Sequence, residues 1–166
     1  MKFAYADPPY LGCGKLYVAH HPDALDWDDP HVHHILIHRL EDEYPDGWAL
    51  SCHTPSLRIL LPMCPEDVRV SAWVKPFAVF KPNVSPAYAW EPVIWRGGRT
   101  KRSRKDDTVR DWHSENITMR RGLPGAKPPG FPLWISQLLG ADVRQGDTIT
   151  DLFPGTGAML GVWRSA

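Results

Sequence analysis

The first ten residues constrain this chain most. Phe3-Ala4-Tyr5-Ala6 is a short apolar run, and Asp7-Pro8-Pro9-Tyr10 stops it at once. Proline has no backbone N–H and a fixed φ, and it steers the residue before it away from helix. Two in succession cannot continue a central strand. Residues 2–6 therefore read as a buried strand that needs neighbours and ends in a stiff turn. An acidic side chain, a carbonyl freed from ladder pairing and an aromatic ring then meet at one strand end. Such a set can accept both hydrogens of an exocyclic amine and stack on its ring. A nucleobase extruded from a helix suits that geometry. A Pro-rich turn with a capping aspartate is the plainer reading.

A second turn lies at the far end of the sequence. Residues 147–153 form a strand pattern that runs into Pro154-Gly155-Thr156-Gly157, with a helix expected from Ala158 to Trp163. Glycines after a parallel strand allow a tight bend and a close approach of ligand to backbone. The free N–H groups of a following helix favour a polar guest, and an adenosyl-containing cofactor is a natural one. An ordinary strand-to-helix turn is again the alternative.

Between the two turns, helical and strand patterns alternate. Asp29-Pro30 opens a helix over His31–Glu43, with Val32, Ile35, Leu36 and Leu40 at helical spacing. Strand patterns follow at Trp48–Cys52, Val68–Val74 and Tyr88–Trp95, the last interrupted by Pro92, which suggests an edge or a bulge. Short helices are expected over Ser56–Met63 and Pro132–Leu139, and residues 96–112 read as a polar loop. The pattern implies an α/β domain with parallel strands.

The chain has 166 residues, enough for one domain over residues 1–166 with its own core. No apolar run is long enough to cross a membrane, and no secretion signal precedes Asp7. Cys13, Cys52 and Cys64 are odd in number and lack a C-x-x-C spacing. Free thiols, a reducing cytoplasmic setting and no metal site are expected. The zero net charge hides a segregation. Residues 1–68 carry 4 basic and 11 acidic side chains, and residues 69–121 carry 12 basic and 5 acidic. Arg96, Arg99, Lys101, Arg102, Arg104 and Lys105 crowd one stretch, which suits phosphate contacts or simply a solvated loop. Most of the 8 tryptophans are expected in the core, with Trp90, Trp95 and Trp112 as candidates for base stacking. His34 and His38 share a helical face without a third ligand at a diagnostic spacing.

Taken in order, Asp7-Pro8-Pro9-Tyr10, Glu91-Pro92, Lys127-Pro128 and Asp151-Leu152-Phe153-Pro154-Gly155-Thr156-Gly157 resemble the S-adenosylmethionine-dependent amino-methyltransferases of DNA. The catalytic motif first and the cofactor motif last resemble their circularly permuted class. The resemblance implies a Rossmann-like α/β sheet, mostly parallel with an antiparallel strand, without the usual strands after the cofactor-motif strand. It implies that Asp7 and the Pro8 carbonyl hold the target amine, with Pro9 stiffening the turn and Tyr10 stacking on the base. Asp151, Phe153, Gly155 and Gly157 would line the S-adenosylmethionine pocket, with Lys127 and Pro128 over its methionine end. Aspartate at the first motif position favours adenine over cytosine. The basic loop 96–112 would meet DNA, in a bacterial or phage-infected nucleoid. A catalytically silent binding subunit, completed by a partner chain or second copy at the sheet edge, remains the rival reading. RNA or a small amine as substrate is a third.

Overall fold

The computed structural model describes residues 1–77, 82–100, 104, 108–117, 126–155, 157, 159 and 163. Six strands form one sheet: β1 (Lys2–Ala6), β2 (Gly47–Ser51), β3 (Arg69–Val74), β4 (Trp90–Gly97), β5 (Trp112–Ser114) and β6 (Thr148–Asp151). Their order is β5-β3-β4-β2-β1-β6. β1 pairs in parallel with both β2 and β6, and β3 pairs in parallel with β5. β4 alone runs against its neighbours, β2 and β3. The expected mostly parallel sheet with one antiparallel strand is what forms.

Side chains alternate across the sheet. Phe3, Tyr5, Trp73, Val93 and Trp95 face one side, where α3 (Gly130–Leu139) packs with Phe131, Trp134, Ile135 and Leu138. Ala4, Ala6, Trp48, Leu50 and Ile94 face the other, under α1 (Pro30–Glu43) and α2 (Leu57–Leu60). Met159 and Trp163 add to the α3 side. Helices on both faces of a largely parallel sheet make a three-layer α/β domain.

Several local expectations need correcting. Pro92 lies in a central strand, not at an edge. Its carbonyl accepts from the Cys52 N–H, so its N–H position also faces β2, just past Ser51, the last β2 residue in register with β4. The bond withheld is the reciprocal one to the Cys52 carbonyl, one residue beyond β2, so the ladder within β2 stays whole. In α1 the buried stripe is His33, Leu36, Ile37 and Leu40, while Ile35 is exposed. His33 can face inward because its Nε2 bonds the Trp27 carbonyl at 2.9 Å. At the bounds of the polar loop proposed for residues 96–112, Arg96 and Gly97 belong to β4 and Trp112 begins β5; residues 101–103 and 105–107 lie outside the described residues. Trp95 is buried with its indole N–H on Ser71 Oγ at 2.9 Å, so it cannot stack on a base; Trp90 and Trp112 are exposed.

Candidate active site

Three elements of the α3 side converge beyond the C-terminal end of β1. Asp7 follows Tyr5 by two residues, Glu91 precedes Val93 by two, and Lys75 follows Trp73 by two. Period-two alternation therefore aims all three at the start of α3. Lys127 sits there, just before Pro128 and Pro129. Gly130 opens α3, and its N–H donates to Glu115 Oε2 at 3.0 Å. A Cβ at Gly130 would lie 2.6 Å from that oxygen, so only glycine lets Glu115 come so close.

The ammonium of Lys127 is the hub. Its Nζ lies 2.9 Å from Asp7 Oδ1 and 2.9 Å from Asp7 Oδ2. It is 3.1 Å from the Tyr10 hydroxyl, to which it donates, and 3.6 Å from Glu91 Oε2. Its side chain is 6% exposed and lies against the rings of Trp73, Phe131 and Tyr10. The Tyr10 hydroxyl has one proton and two carboxylates in reach, Glu91 Oε2 at 2.9 Å and Asp7 Oδ1 at 3.1 Å. The ring of Tyr10 stacks on His53, with centroids 5.5 Å apart. Lys75 holds the other Glu91 oxygen, Oε1, at 2.7 Å. Two carboxylates and two ammonium groups thus share one part-buried cluster of zero net charge.

Burial and pairing compete across this cluster. Burial raises the pKa of Asp7 against the pull of Lys127. Burial works to lower that of Lys127, but Asp7 and Glu91 together raise it and keep the ammonium charged. Burial would raise Glu91, and Lys127 and Lys75 bring it below the ordinary carboxylate range. Tyr17, in the loop after the Asp7 turn, is pushed up to about 12 by burial and by the Asp7 carboxylate.

The neighbouring turn differs. Asp151 pairs in register with Tyr5, which brings the end of β6 beside the end of β1. Its Oδ1 accepts from the Phe153 N–H at 3.1 Å, while its buried Oδ2 has no partner among the described residues. Burial raises this carboxyl to about 6. Phe153 packs edge-on against Trp27, centroids 5.0 Å apart, in the α1-side core. Gly155 and Gly157 have φ of +48° and +75°, and no atom of the described residues lies within 4 Å of a Cβ built on Gly157. An unsatisfied buried carboxylate oxygen beside open backbone suits a ligand that carries both a cation and hydrogen-bond donors.

The sequence-selected residues Asp7, Tyr10 and Lys127 are thus joined, Pro8, Pro9 and Pro128 are buried around them, and Asp151 stands alongside. Arg96 and Arg99 are elsewhere. Arg96 pairs with Glu41 and Asp67, and Arg99 with Asp147 Oδ2 at 2.6 Å, at the opposite end of the sheet from Asp7. Arg104 is exposed, and Lys101, Arg102 and Lys105 lie outside the described residues. Lys75, His53 and Tyr17 were not foreseen. One signal was available for Glu91: an acidic residue in phase with Val93 and Trp95 must be buried, and a buried carboxylate needs partners.

No family model matches the chain, and no curated protein matches it. Among solved structures, the crystal structure of the M1.HpyAVI–SAM complex matches with a TM-score of 0.58 at 13% identity, covering 99% of this chain and 78% of that one. The fold is a Rossmann-like methyltransferase fold. So distant an identity carries the architecture and no residue's role.

Proposed function

We propose that this chain is an S-adenosylmethionine-dependent methyltransferase acting on the exocyclic amine of adenine in DNA, built on a circularly permuted version of the fold. One observation carries the reading: Asp7-Pro8-Pro9-Tyr10 and Asp151-to-Gly157 end adjacent parallel strands. An amine acceptor and a ligand-receptive turn thereby stand side by side. The SAM-bound state of the structural neighbour supports the choice of cofactor. The fit at the β6 turn supports it too: Asp151 Oδ2 would take the cofactor's ammonium, and the bare backbone at Gly155 and Gly157 would admit its adenosyl part.

When bound, S-adenosylmethionine supplies a methyl group already activated on a sulfonium. The chain's residues then have to position and orient. Asp7 accepts from the target amine and stabilises the positive charge that grows on nitrogen. The Pro8 carbonyl takes the second amine hydrogen. Tyr10 offers the ring face turned away from His53 to the base. Lys127 and Pro128 border the cofactor side. Phosphate contacts at this end of the sheet are not assigned to Arg96 and Arg99, whose guanidinium groups are committed to carboxylates at the other end.

A second reading is favoured by the hold of Lys127 on both Asp7 oxygens. A catalytically silent binding subunit would tolerate that contact permanently. Radiolabelled cofactor separates the two. Transfer to adenine in duplex DNA, lost in Asp7→Ala, supports the enzyme. Cofactor binding by folded protein without transfer to DNA or RNA supports the silent subunit. Cytosine and RNA substrates serve as the arms that correct the base and the polymer.

A further inference from the structure

Lys127 presents a problem for any chemistry at Asp7. It occupies both carboxylate oxygens, at 2.9 Å each, and these are the acceptors an incoming amine needs. A buried ammonium cannot simply be displaced, because leaving it unpaired in a low-dielectric site is costly. It needs a second anionic partner within a short reach. Among the described residues Glu91 meets that condition. Its Oε2 lies 3.6 Å from Lys127 Nζ, while its Oε1 is already anchored by Lys75 at 2.7 Å. The ring of Trp73 underlies both ammonium groups, 5.4 Å from Lys127 and 5.5 Å from Lys75, so the cation keeps an aromatic surface over the path.

We propose that Glu91 is a positioning residue that provides a second station for Lys127: when a substrate amine settles on Asp7, the ammonium closes the gap to Glu91. The gap then shortens from 3.6 Å to about 2.8 Å, the ordinary length of a charged hydrogen bond. Tyr10 couples the two stations, because its hydroxyl reaches both carboxylates. Total charge in the cluster is unchanged by the move, since the arriving amine is neutral. The substrate amine rests on the function proposed above; the two stations themselves do not.

Two measurements test this. The first needs no activity: ammonium spectra of the protein carrying isotope-labelled lysine, recorded for slow solvent exchange. In Asp7→Asn the Lys127 signal stays protected, because Glu91 holds it, and it is lost only in Asp7→Asn with Glu91→Gln. Loss of the signal in Asp7→Asn alone overturns the second station. The second measurement is transfer rate at saturating cofactor. Glu91→Gln leaves Lys127 fixed on Asp7, so kcat falls roughly 10²-fold, the scale for a small misplacement of a reacting group, with cofactor Kd unchanged. Adding Lys127→Met to Glu91→Gln restores a large part of that loss. A double variant no faster than Glu91→Gln overturns the proposal, because a merely structural Glu91 gains nothing from removal of the lysine. If the wild-type chain transfers no methyl group to any amine, the function above fails, and the exchange measurement still decides the stations.

Discussion

The turns after β1 and β6 are neighbours in the sheet and opposites in construction. Every charged group at the β1 turn is engaged: Asp7, Lys127, Glu91 and Lys75 form a continuous network with Tyr10. Among the described residues the β6 turn is open, with a carboxylate oxygen unpartnered and a glycine whose Cβ position meets nothing within 4 Å. Proline builds the first by removing backbone freedom, and glycine builds the second by adding it. The contrast suits a division of labour. On the function proposed above, the group that aligns a lone pair is held by many partners, and the group that receives the cofactor is left unsatisfied until it comes.

Removing the central acceptor of the engaged turn has the largest expected effect. Asp7→Ala should lower methyl transfer about 10³-fold, within the range for loss of a positioned acid–base group. It also leaves Lys127 with Glu91 as its remaining anionic partner. Initial rates with labelled cofactor, measured beside a thermal melt, separate chemistry from folding. A variant that keeps wild-type rates would end the assignment of the β1 turn as the reacting site.

The open turn should answer to pH instead. Asp151 titrates near 6 in the folded chain, above its ordinary 3.8, because burial disfavours its charge. If it takes the cofactor's ammonium, binding weakens as pH falls below 6, by about tenfold per unit. The stability linkage runs the other way. A carboxyl with a raised folded pKa contributes stability that is whole below about 4 and is lost as pH rises through 6. Asp151's share of stability should therefore grow on acidification across the window where cofactor is lost, against the opposite pull of His33 and His53, whose pKa values burial lowers. Titration calorimetry and urea unfolding between pH 4 and 7 on wild type and Asp151→Asn read that share as a difference: the substitution should flatten the cofactor slope and remove Asp151's part of the stability slope. Cofactor affinity independent of pH there would detach Asp151 from the ligand.

How much of this was legible differs between the turns for a physical reason. Asp7-Pro8-Pro9 and Gly155–Gly157 act through local backbone chemistry, so the sequence alone marks both strand ends. Glu91 and Lys75 acquire meaning only when β4 is inserted between β3 and β2, a pairing between residues far apart in the chain. The misplaced stripe in α1 has a similar origin: His33 reads as polar until the Trp27 carbonyl is found to partner its Nε2. Arg96 and Arg99 were legible as charge but not as place, because nothing local says that β4 is antiparallel and carries them to the far end of the sheet.

That far end offers a control on β6 itself. Asp147, just before β6, accepts from the N-terminal ammonium at 2.7 Å, from Arg99 at 2.6 Å and from the Asp142 N–H at 2.9 Å. Burial opposes its charge, but these hydrogen bonds prevail and hold its pKa down to about 2. A depressed carboxyl contributes stability above its unfolded value of about 4, lost as pH falls towards 2. Asp147→Asn should cost about 2 kcal/mol at neutral pH, the scale of hydrogen bonds to a charged group, and less in acid. Urea unfolding measures it, with transfer per folded molecule unchanged. A transfer defect would mean that the two ends of the sheet are coupled.

The smallest effect should come from the open turn's backbone. Gly157 has a φ of +75°, so Gly157→Ala meets no neighbour among the described residues but must hold a left-handed conformation, which costs about 1 kcal/mol. Two outcomes are distinguishable. If the empty space serves only the turn, cofactor affinity and stability fall by similar small amounts, because the substitution acts on the fold alone. If the space belongs to a ligand, the added methyl group collides with it, and affinity falls well beyond the loss of stability. A melt and a cofactor titration on the same preparation read the difference. Since the β1 turn is untouched, the rate at saturating cofactor should stay near wild type, which places the open turn in binding and the engaged one in chemistry.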